Sequence, residues 1–272
     1  MSIITFSSDF GLKDYFVGSL KGSIYAEFPE AKLIDLSHDI EPFHSIHAAY
    51  VLQAAHKKFP KNTVHLVCVD AEKSVLNKHV IIYWHDQYFI GADNGVFSIL
   101  THQDPADAIY EINIHDRFAE DATYLDILKT VAVHLAKGGK PNVVGIPLNA
   151  LKDIKPPKME VLNGGKTLQG TKLYTDHLGN VVFNISKKLF VEYGKGRPYQ
   201  IAIDKHRIKT IYPSYAAYHI SESLTNRADV VAIFNEAGYL EIGIFRAQPK
   251  ITGTALTLLG FNFKNTIDIN FL

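Results

Sequence analysis

Asp9 follows a predicted strand at a position where a small molecule could be bound. It lies within Ser7 to Gly11, directly after an apolar run and before an amphipathic stretch. In open α/β sheets, ligands lie at the carboxyl ends of strands, because loops and helix N-termini converge there. The Asp9 carboxylate could therefore accept hydrogen bonds from the two hydroxyl groups of a ribose. The alternative is that Asp9 only caps the following helix, and spacing alone does not decide between the two.

Asp70 repeats this arrangement after the apolar run Val64 to Val69. Partial removal of its carboxyl group from water would raise the pKa and would suit Asp70 to handling a proton. The alternative is an ordinary aspartate in a turn. Cys68, the only cysteine, lies in the same apolar run. It is interpreted as a small core residue and not as a nucleophile.

Two further loops combine carboxyl and amide side chains. The segment Ala92 to Gly95 predicts a tight turn in which Asn94 or Gly95 takes a positive φ. The segment Asp176 to Asn180 places a carboxylate, an imidazole and an amide between two predicted strands. It is equally compatible with a hairpin turn that carries an extra polar residue.

No metal site is predicted from the histidines. The nearest pattern is His44 with His47, three residues apart on a predicted helix, with His38 before them. No cysteine or suitably placed carboxylate completes a ligand set. The glycine patterns of dinucleotide-binding folds and of phosphate-binding P-loops are also missing from the sequence. We therefore expect no metal ion and no bound cofactor.

The charge and hydropathy of the chain point to no macromolecular partner. The 28 lysine and arginine residues balance the 28 aspartate and glutamate residues. No run of like charge marks a nucleic-acid tail or a polybasic membrane patch. No run of roughly 18 uncharged apolar residues occurs, and the N-terminus lacks the basic segment of a signal peptide. The sequence predicts no nucleic-acid or membrane binding and a cytoplasmic location.

The residues up to about position 150 alternate short β-rich runs with amphipathic stretches. This alternation is the signature of βαβ units around a largely parallel sheet. The first amphipathic stretch has Asp14 as an acidic residue at its start and Pro29 at its end. The predicted strands are Ile3–Ser7, Leu33–Leu36, Thr63–Val69 and Val80–Trp84, and the predicted helices are Tyr15–Phe28, His44–Lys57 and Leu125–Lys137.

The composition changes after Ala150, where Lys155 to Lys158 form a stiff polar connector. Short β-type runs separated by turns follow it. They are Thr171–Thr175, Val181–Ile185, Gln200–Asp204, Val230–Asn235 and Leu240–Phe245. A chain of 272 residues has room for two modest domains. We predict a Rossmann-like α/β domain with a largely parallel sheet at residues 1–155 and a smaller, mainly antiparallel β domain at residues 156–272.

Taken together, these segments resemble the S-adenosyl-L-methionine hydroxide adenosyltransferases and their relatives, the fluorinase and chlorinase. The resemblance spans nearly the whole chain, and so many motifs in one order are not expected by chance. The motifs are Ser8-Asp9-Phe10-Gly11 with Asp14 and Lys21-Gly22, Ile34 to Ile40 with Pro42-Phe43, Phe59-Pro60 with Thr63-Val64-His65, Asp93-Asn94-Gly95, Ala132 to Ala136, Asp176 with Gly179-Asn180 and Asn184-Ile185, and Gly238 to Ile242.

The resemblance implies a homotrimer whose sites lie between the first domain of one subunit and the second domain of a neighbour. S-adenosyl-L-methionine would be the substrate or ligand. Asp9 would hold the ribose hydroxyls, Asp176 the methionine ammonium and Asn180 the adenine. Glu236 and Ala237 stand where the family faces the methionine carboxylate, which a glutamate would repel. The predicted substrate-binding residues are Ser8, Asp9, Asp14, Asp176, Asn180, Glu236 and Ala237.

The reaction that this resemblance implies is attack of water or hydroxide on the 5′ carbon of ribose, which expels methionine and leaves adenosine. Such a displacement needs a positioned water and groups that stabilise its hydroxide character. Asp70 matches the family's aspartate. Asn77 stands at the arginine position, and Lys78 is the nearest cation in the sequence. Thr123 stands at the histidine position, so the predicted catalytic residues are Asp70, Asn77, Lys78 and Thr123.

Three functions remain open at this point. The first is hydrolysis of S-adenosyl-L-methionine by a catalytic corner rebuilt around Asp70. The second is a non-catalytic protein that binds adenosine or S-adenosyl-L-methionine through Asp9 and Asn180. The third is an adenosyltransferase that uses another nucleophile. It has less support, because the halogenases carry a tyrosine where this chain has Asp70, and a carboxylate would oppose an incoming halide.

Overall fold

The two halves of the chain are built around different sheets. The computed structural model describes residues 2–203, 205–221 and 229–272. The chain divides into two units, Met1–Pro156 and Pro157–Leu272. The first unit contains a seven-stranded sheet and the second a nine-stranded sheet.

The first sheet has the strand order β2-β1-β3-β5-β4-β6-β7. Its strands are β1 (Ile3–Ser8), β2 (Lys32–Ser37), β3 (Val64–Cys68), β4 (His79–Trp84), β5 (Gln87–Ala92), β6 (Ala108–Ile112) and β7 (Gly145–Pro147). The first four strands in this order are mutually parallel, and each later neighbour pairs antiparallel. Strands β2, β1, β3, β5 and β6 therefore run in one direction, which confirms the largely parallel sheet.

Both faces of this sheet are covered by helices, and β3 shows why the sequence requires this. Leu66 and Cys68 point into one apolar cluster and Val67 into another, because successive side chains of a strand face opposite sides. A strand buried on both faces reads as a continuous apolar run. Full burial of such a side chain contributes about 1.5–3 kcal/mol. The helices are α1 (Phe16–Glu27), α2 (Ser45–Ala55), α3 (Val96–Leu100) and α4 (Tyr124–Ala136).

The three helices predicted for this unit are present, with one correction at the start of α1. The N-cap of α1 is Tyr15, so Asp14 precedes the helix and does not lie in its first turn. Because the macrodipole effect falls off outside the terminal turn, Asp14 is not placed to stabilise α1. Among the described residues, no helix combines the length and the hydropathy needed to span a membrane.

Strand β5 was not predicted, and its sequence explains why. Residues His85 and Asp86, which connect β4 to β5, both have positive φ, at 51° and 60°. Two-residue hairpin turns with this conformation usually contain glycine or asparagine, so the turn signal was weak. Gly91 also weakens the strand pattern. It is required there because a Cβ atom would lie 2.6 Å from the carbonyl oxygen of Val67 on β3.

The second unit is mainly antiparallel, as predicted. Its sheet has the order β12-β11-β16-β9-β10-β15-β14-β13, with β8 paired to β9. Among its described strands, only β13 and β14 pair in parallel. Asp204, the end of one predicted strand, lies outside the described residues. The strands are β8 (Glu160–Leu162), β9 (Thr167–Thr175), β10 (Val181–Ser186), β11 (Tyr199–Ile203), β12 (His206–Ile208), β13 (Ile211–Tyr212), β14 (Val230–Phe234), β15 (Tyr239–Ile244) and β16 (Thr266–Phe271). The unit also contains three short helices that were not predicted: α5 (Lys187–Gly194), α6 (Tyr215–Ser221) and α7 (Ala255–Leu258).

Candidate functional site

Asp9 connects the ends of β1 and β3. These strands are parallel neighbours, so the aspartates that follow them lie at the same edge of the sheet. Asp9 Oδ2 accepts hydrogen bonds from the backbone N–H of Asp70 at 3.2 Å and of Phe43 at 3.0 Å. Helix α1 begins at Phe16 and has no side-chain cap, so the interpretation of Asp9 as a helix cap is wrong. Asp9 instead fixes two loops around the strand ends.

Asp70 has a constrained backbone. Its φ is 43°, in the left-handed region that aspartate tolerates better than most residues. The side-chain amide of Asn94 donates hydrogen bonds to the carbonyl oxygens of Val69 at 2.8 Å and of Asp70 at 3.0 Å. Burial first, and then the nearby Asp9 carboxylate, raise the pKa of Asp70, while Lys152 opposes this rise. The raised pKa agrees with the expectation for a strand-end carboxyl group.

The turn at residues 92–95 holds a second segment in place. Gly95 has the predicted positive φ, at 105°. Asp93, only 8% exposed, accepts the backbone N–H of Lys152 at both carboxylate oxygens, at 3.1 and 3.0 Å. Burial raises the pKa of Asp93, and the hydrogen bond from Lys152 opposes that effect. This turn therefore anchors Asp70 on one side and Lys152 on the other.

Asn77, at the family's arginine position, and Lys78, the nearest cation in the sequence, have different surroundings. The ammonium group of Lys78 pairs with Glu111 at 2.6 Å. The side-chain oxygen of Asn77 accepts a hydrogen bond from Lys152 Nζ at 3.4 Å. Lys152 was not predicted as a site residue. It lies in an irregular segment before the connector, and no sequence motif marks it.

Thr123 has a structural task at the start of α4. It is the N-cap of this helix, and its side chain and that of Asp126 form a reciprocal capping box. Its hydroxyl donates to Asp126 Oδ2 at 2.8 Å. The next residue, Tyr124, interacts electrostatically with Asp9 of the candidate site. Burial first, and then Cys68 and Asp9, raise the pKa of Tyr124 to about 12.

Ser8 begins a series of hydrogen-bonded polar side chains that runs from the interior of the protein to its surface. Ser8 Oγ and His38 Nδ1 are hydrogen-bonded at 2.7 Å, and His38 Nε2 lies 3.0 Å from Asp35 Oδ1. Lys21 Nζ donates to Asp35 Oδ2 at 2.5 Å. The order of groups is like that of a nucleophilic triad, but Ser8 is 0% exposed. This burial is at odds with the direct substrate contact predicted for Ser8. The hydrogen-bonded series of side chains instead stabilises the end of β1.

In the second unit, Asp176 organises the loop between β9 and β10. One carboxylate oxygen accepts the backbone N–H groups of Leu178 at 2.9 Å and Asn180 at 2.8 Å. The other accepts the side-chain amide of Asn180 at 2.8 Å. Strands β9 and β10 pair antiparallel, so the loop is also the predicted hairpin turn. Asp176 and Asn180, two of the four substrate-binding residues predicted in this unit, are thus hydrogen-bonded to each other.

A buried glutamate close to Asp176 was not predicted as a site residue. Glu241, on β15, accepts hydrogen bonds from Tyr215 OH at 2.9 Å and from Asn235 Nδ2 at 3.1 Å. Burial is the main cause of a raised pKa at Glu241, and the negative charge of Asp176 also raises this pKa. The predicted residues Glu236 and Ala237 form the tip of the β14–β15 turn, where Glu236 is exposed. Glu241 lies within the family motif Gly238 to Ile242, but only the register of β15 with its neighbours brings it near Asp176.

Among the described residues, one group has metal-ligand geometry, so the expectation that no suitably placed carboxylate joins His44 and His47 is wrong. The ligating atoms of Glu41, His44 and His47 lie within 4.8 Å of one another, and His47 Nδ1 is 3.4 Å from Glu41 Oε2. Nδ1 of His44 also accepts the backbone N–H of His47 at 3.3 Å as the cap of α2. A neutral imidazole that accepts at Nδ1 carries its proton on Nε2 and has no lone pair left for a metal. His44 can therefore either cap the helix or ligate an ion through Nε2.

An open α/β sheet with carboxylates at the ends of adjacent strands, followed by an antiparallel β unit, defines a two-domain protein of the small-molecule-binding class. Residues 4–145 match the family model of the SAM hydroxide adenosyltransferase N-terminal domain, and residues 170–267 match that of the C-terminal domain. The chain belongs to the SAM hydroxide adenosyltransferase family.

Curated relatives and solved structures are similar over most of their length. A Methanocaldococcus jannaschii protein named (R)-S-adenosyl-L-methionine hydrolase is 26% identical over 99% of this chain and 96% of its own. A Thermus thermophilus protein of the same name is 27% identical over 72% of this chain and 81% of its own. An uncharacterized conserved protein from Thermotoga maritima is 28% identical, with a TM-score of 0.82 over 98% of this chain and 99% of its own. A conserved hypothetical protein from Thermus thermophilus, 23% identical with a TM-score of 0.71 and full coverage of both chains, shares the fold.

Proposed function

We propose that this protein hydrolyses S-adenosyl-L-methionine to adenosine and L-methionine. The observation that carries the proposal is the pair of carboxyl groups at the ends of β1 and β3. Asp9 is fixed by two backbone N–H groups, and Asp70 has a raised pKa. Membership of the family and the relatives named as (R)-S-adenosyl-L-methionine hydrolases support the same reaction.

In this reaction, a water oxygen forms a bond to the 5′ carbon of ribose while the bond from that carbon to sulfur breaks. The electron pair of the broken bond stays on sulfur, which leaves as the neutral thioether of methionine. The attacking water must lose one proton, and the Asp70 carboxylate accepts it directly or passes it to solvent. A pKa above the ordinary aspartate value makes Asp70 a stronger base for this step. Asp9 accepts hydrogen bonds from the ribose hydroxyls and fixes the position of the 5′ carbon.

The second unit supplies groups for the two ends of the ligand. A carboxylate has about four acceptor positions, and loop hydrogen bonds use three of those on Asp176. The remaining acceptor capacity and the negative charge suit the methionine ammonium group. Asn180 keeps one amide N–H and its carbonyl oxygen for the donor–acceptor edge of adenine.

The resemblance to the family also supports a homotrimer with sites shared between subunits. We expect light scattering to give three times the mass of the 30.4 kDa chain. Sharing can be tested by refolding Asp9→Ala and Asn180→Ala variants together. Mixed trimers would contain some sites with both residues intact and would recover part of the activity. Unmixed variants, and mixtures in which each subunit forms its own site, would not.

The proposed function is tested by incubating the purified protein with S-adenosyl-L-methionine and separating the products by chromatography. We expect adenosine and methionine in equal amounts, and no loss of activity after dialysis against a chelator. Calorimetry on the same sample measures binding. Binding without adenosine release would favour the non-catalytic adenosyl-binding protein. Release of methionine with an adenosyl product other than adenosine would favour transfer to another nucleophile.

A further inference from the structure

Lys152 is fixed by its backbone and by the residues that follow it. Its N–H donates to both carboxylate oxygens of Asp93, at 3.1 and 3.0 Å. Two residues later, the carbonyl of Ile154 accepts the hydroxyl of Ser98 at 3.2 Å. The side chain of Ile154 covers Gly95 so closely that a Cβ atom there would lie 2.7 Å from Ile154 Cδ1. These contacts seat residues 152–154 on the turn that follows β5.

The same turn fixes Asp70. Asn94, the neighbour of Asp93, donates its amide hydrogens to the carbonyls of Val69 and Asp70. Asp93 and Asn94 therefore hold the backbones of Lys152 and Asp70. The distance between these two residues does not depend on the long lysine side chain alone. A group positioned in this way acts without a large reorganisation when charge develops.

The ammonium group of Lys152 is directed toward the loop that follows Asp70. It donates to Asn77 Oδ1 at 3.4 Å, and Asn77 N–H donates to Ser74 Oγ at 3.0 Å, which closes that loop. Lys78, in the same loop, has its charge matched by Glu111 at 2.6 Å. Lys73 also lies in this loop, but Lys152 is the lysine whose charge acts on the Asp70 carboxyl group.

Asp9 and Asp70 need such a cation. Asp9 accepts the backbone N–H of Asp70, and burial first, then repulsion from the Asp9 carboxylate, raise the pKa of Asp70. Lys152 lowers that pKa. Without it, Asp70 would take up a proton at higher pH and could no longer act as a base there.

We propose that Lys152 is a positioning residue that orders the loop at Asn77 and supplies a fixed positive charge beside the Asp70 and Asp9 carboxylates. The catalytic consequence of this inference rests on the proposed function. The charge relationship between Lys152 and Asp70 is independent of that function. Support for this role comes from the structure and not from a sequence motif. Asp93 is buried and binds the backbone of Lys152, while the adjacent Asn94 binds the backbone of Asp70.

Lys152→Met tests the proposal. The backbone hydrogen bonds to Asp93 survive any substitution other than proline, so the variant removes the charge and keeps the segment in place. Lys155→Met is the matched control, because Lys155 is exposed in the same segment and lies near Asp153. Lys152→Arg restores the charge. Thermal unfolding of all three variants checks that the fold is kept.

Two measurements are made on each variant. The first is titration of the Asp70 carboxyl carbon by NMR, which needs no turnover. The second is kcat and KM for adenosine release from pH 4 to 9, at low and high salt. An exposed charge pair is worth about 0.2–1 kcal/mol, so we expect kcat of Lys152→Met to fall by up to about fivefold at low salt on the acid limb, where Asp70 takes up its proton, and to change little at neutral pH. High salt should reduce the difference between the variant and the unmodified protein.

In Lys152→Met, both the Asp70 midpoint and the acid limb of the kcat profile should move to higher pH. Lys152→Arg should restore both, and Lys155→Met should change neither. An unchanged Asp70 midpoint in Lys152→Met overturns the proposal, whatever the activity. If the unmodified protein releases no adenosine, the proposed function fails, while the NMR titration still decides the role of Lys152.

Discussion

Asn94 and Asp70 are joined by a hydrogen bond from the asparagine amide to the aspartate carbonyl, at 3.0 Å. A second hydrogen bond from the same amide reaches Val69, so one side chain satisfies both carbonyls at the end of β3. A backbone with φ of 43° at Asp70 needs such support, because left-handed conformations of non-glycine residues cost energy. Asn94 therefore supports the backbone from which the Asp70 side chain extends.

Asn94→Ala should weaken both stability and turnover. Leaving buried carbonyl groups without a donor costs about 1–3 kcal/mol, which urea unfolding would detect. Released from its support, Asp70 should lose its alignment with the attacking water, so kcat should fall more than KM changes. Asn142→Ala, at an exposed asparagine of the same unit, is the control and should leave both unchanged. Normal kcat in Asn94→Ala would show that Asp70 does not need this support.

Thr123→Ala should lower stability and leave turnover unchanged. The capping box gives Thr123 a role in starting α4, and loss of a threonine cap costs about 0.5–2 kcal/mol. Thr123→Ser keeps the hydroxyl and should keep most of that stability. The measurements are thermal unfolding, and kcat well below the unfolding temperature. A clear fall of kcat in Thr123→Ala but not in Thr123→Ser would instead support the catalytic role suggested by the sequence.

Part of the site could be predicted because strand ends are visible in the sequence. The apolar runs that become β1 and β3 must be buried on both faces, and each delivers an aspartate to the same sheet edge. The turn at residues 92–95 was also visible from its glycine. These features depend on local composition and on the rule that parallel strands align their carboxyl ends.

Other residues could not be found in this way. Lys152 reaches the site through a backbone hydrogen bond from a segment without regular structure. Glu241 reaches Asp176 only through the register of β15. Ser8 was expected to face a ligand, yet its bond to His38 places it inside the protein. Each position depends on a pairing between distant parts of the sequence: Lys152 with Asp93, Ser8 with His38, and Glu241 with Val182 on β10.

The stability of the protein should fall as the pH is lowered from about 6.5 to 4. His65 is enclosed by Thr5 Oγ1 at 2.7 Å and Gln87 Oε1 at 3.3 Å, and desolvation lowers its pKa from 6.5 to about 4. Burial lowers the pKa of His79 to about 4 as well. In this range the unfolded chain binds protons that the folded protein does not, so unfolding becomes more favourable as protons are added. At about 1.4 kcal/mol per pKa unit, each histidine could remove on the order of 3 kcal/mol.

Urea unfolding measured at several pH values between 4 and 7 would test this prediction. His65→Gln is expected to be less stable at pH 7 but to show a shallower dependence on pH. His102→Gln, at an exposed histidine, is the control and should keep the slope of the unmodified protein. Equal slopes for all three proteins would mean that His65 does not contribute to the pH dependence.

Asp70→Asn and Asp9→Asn should separate turnover from binding. Each change keeps the shape of the side chain and removes its charge. Asp70→Asn cannot accept a proton from the attacking water, so kcat should fall by roughly 10²-fold or more while the dissociation constant changes little.

Asp9→Asn keeps an oxygen that can accept the N–H groups of Asp70 and Phe43, so the loops should stay in place. It loses the charged acceptor for the ribose hydroxyls, and hydrogen bonds to a charged group are worth about 1.5–3 kcal/mol. Asp9→Asn should therefore weaken binding by roughly tenfold to a hundredfold, whereas Asp9→Ala should also disturb the Asp70 loop and lower kcat. Calorimetry gives the dissociation constants and product chromatography gives kcat. If Asp9→Asn and Asp9→Ala lower kcat equally and leave binding unchanged, Asp9 does not hold the ligand and acts only on Asp70.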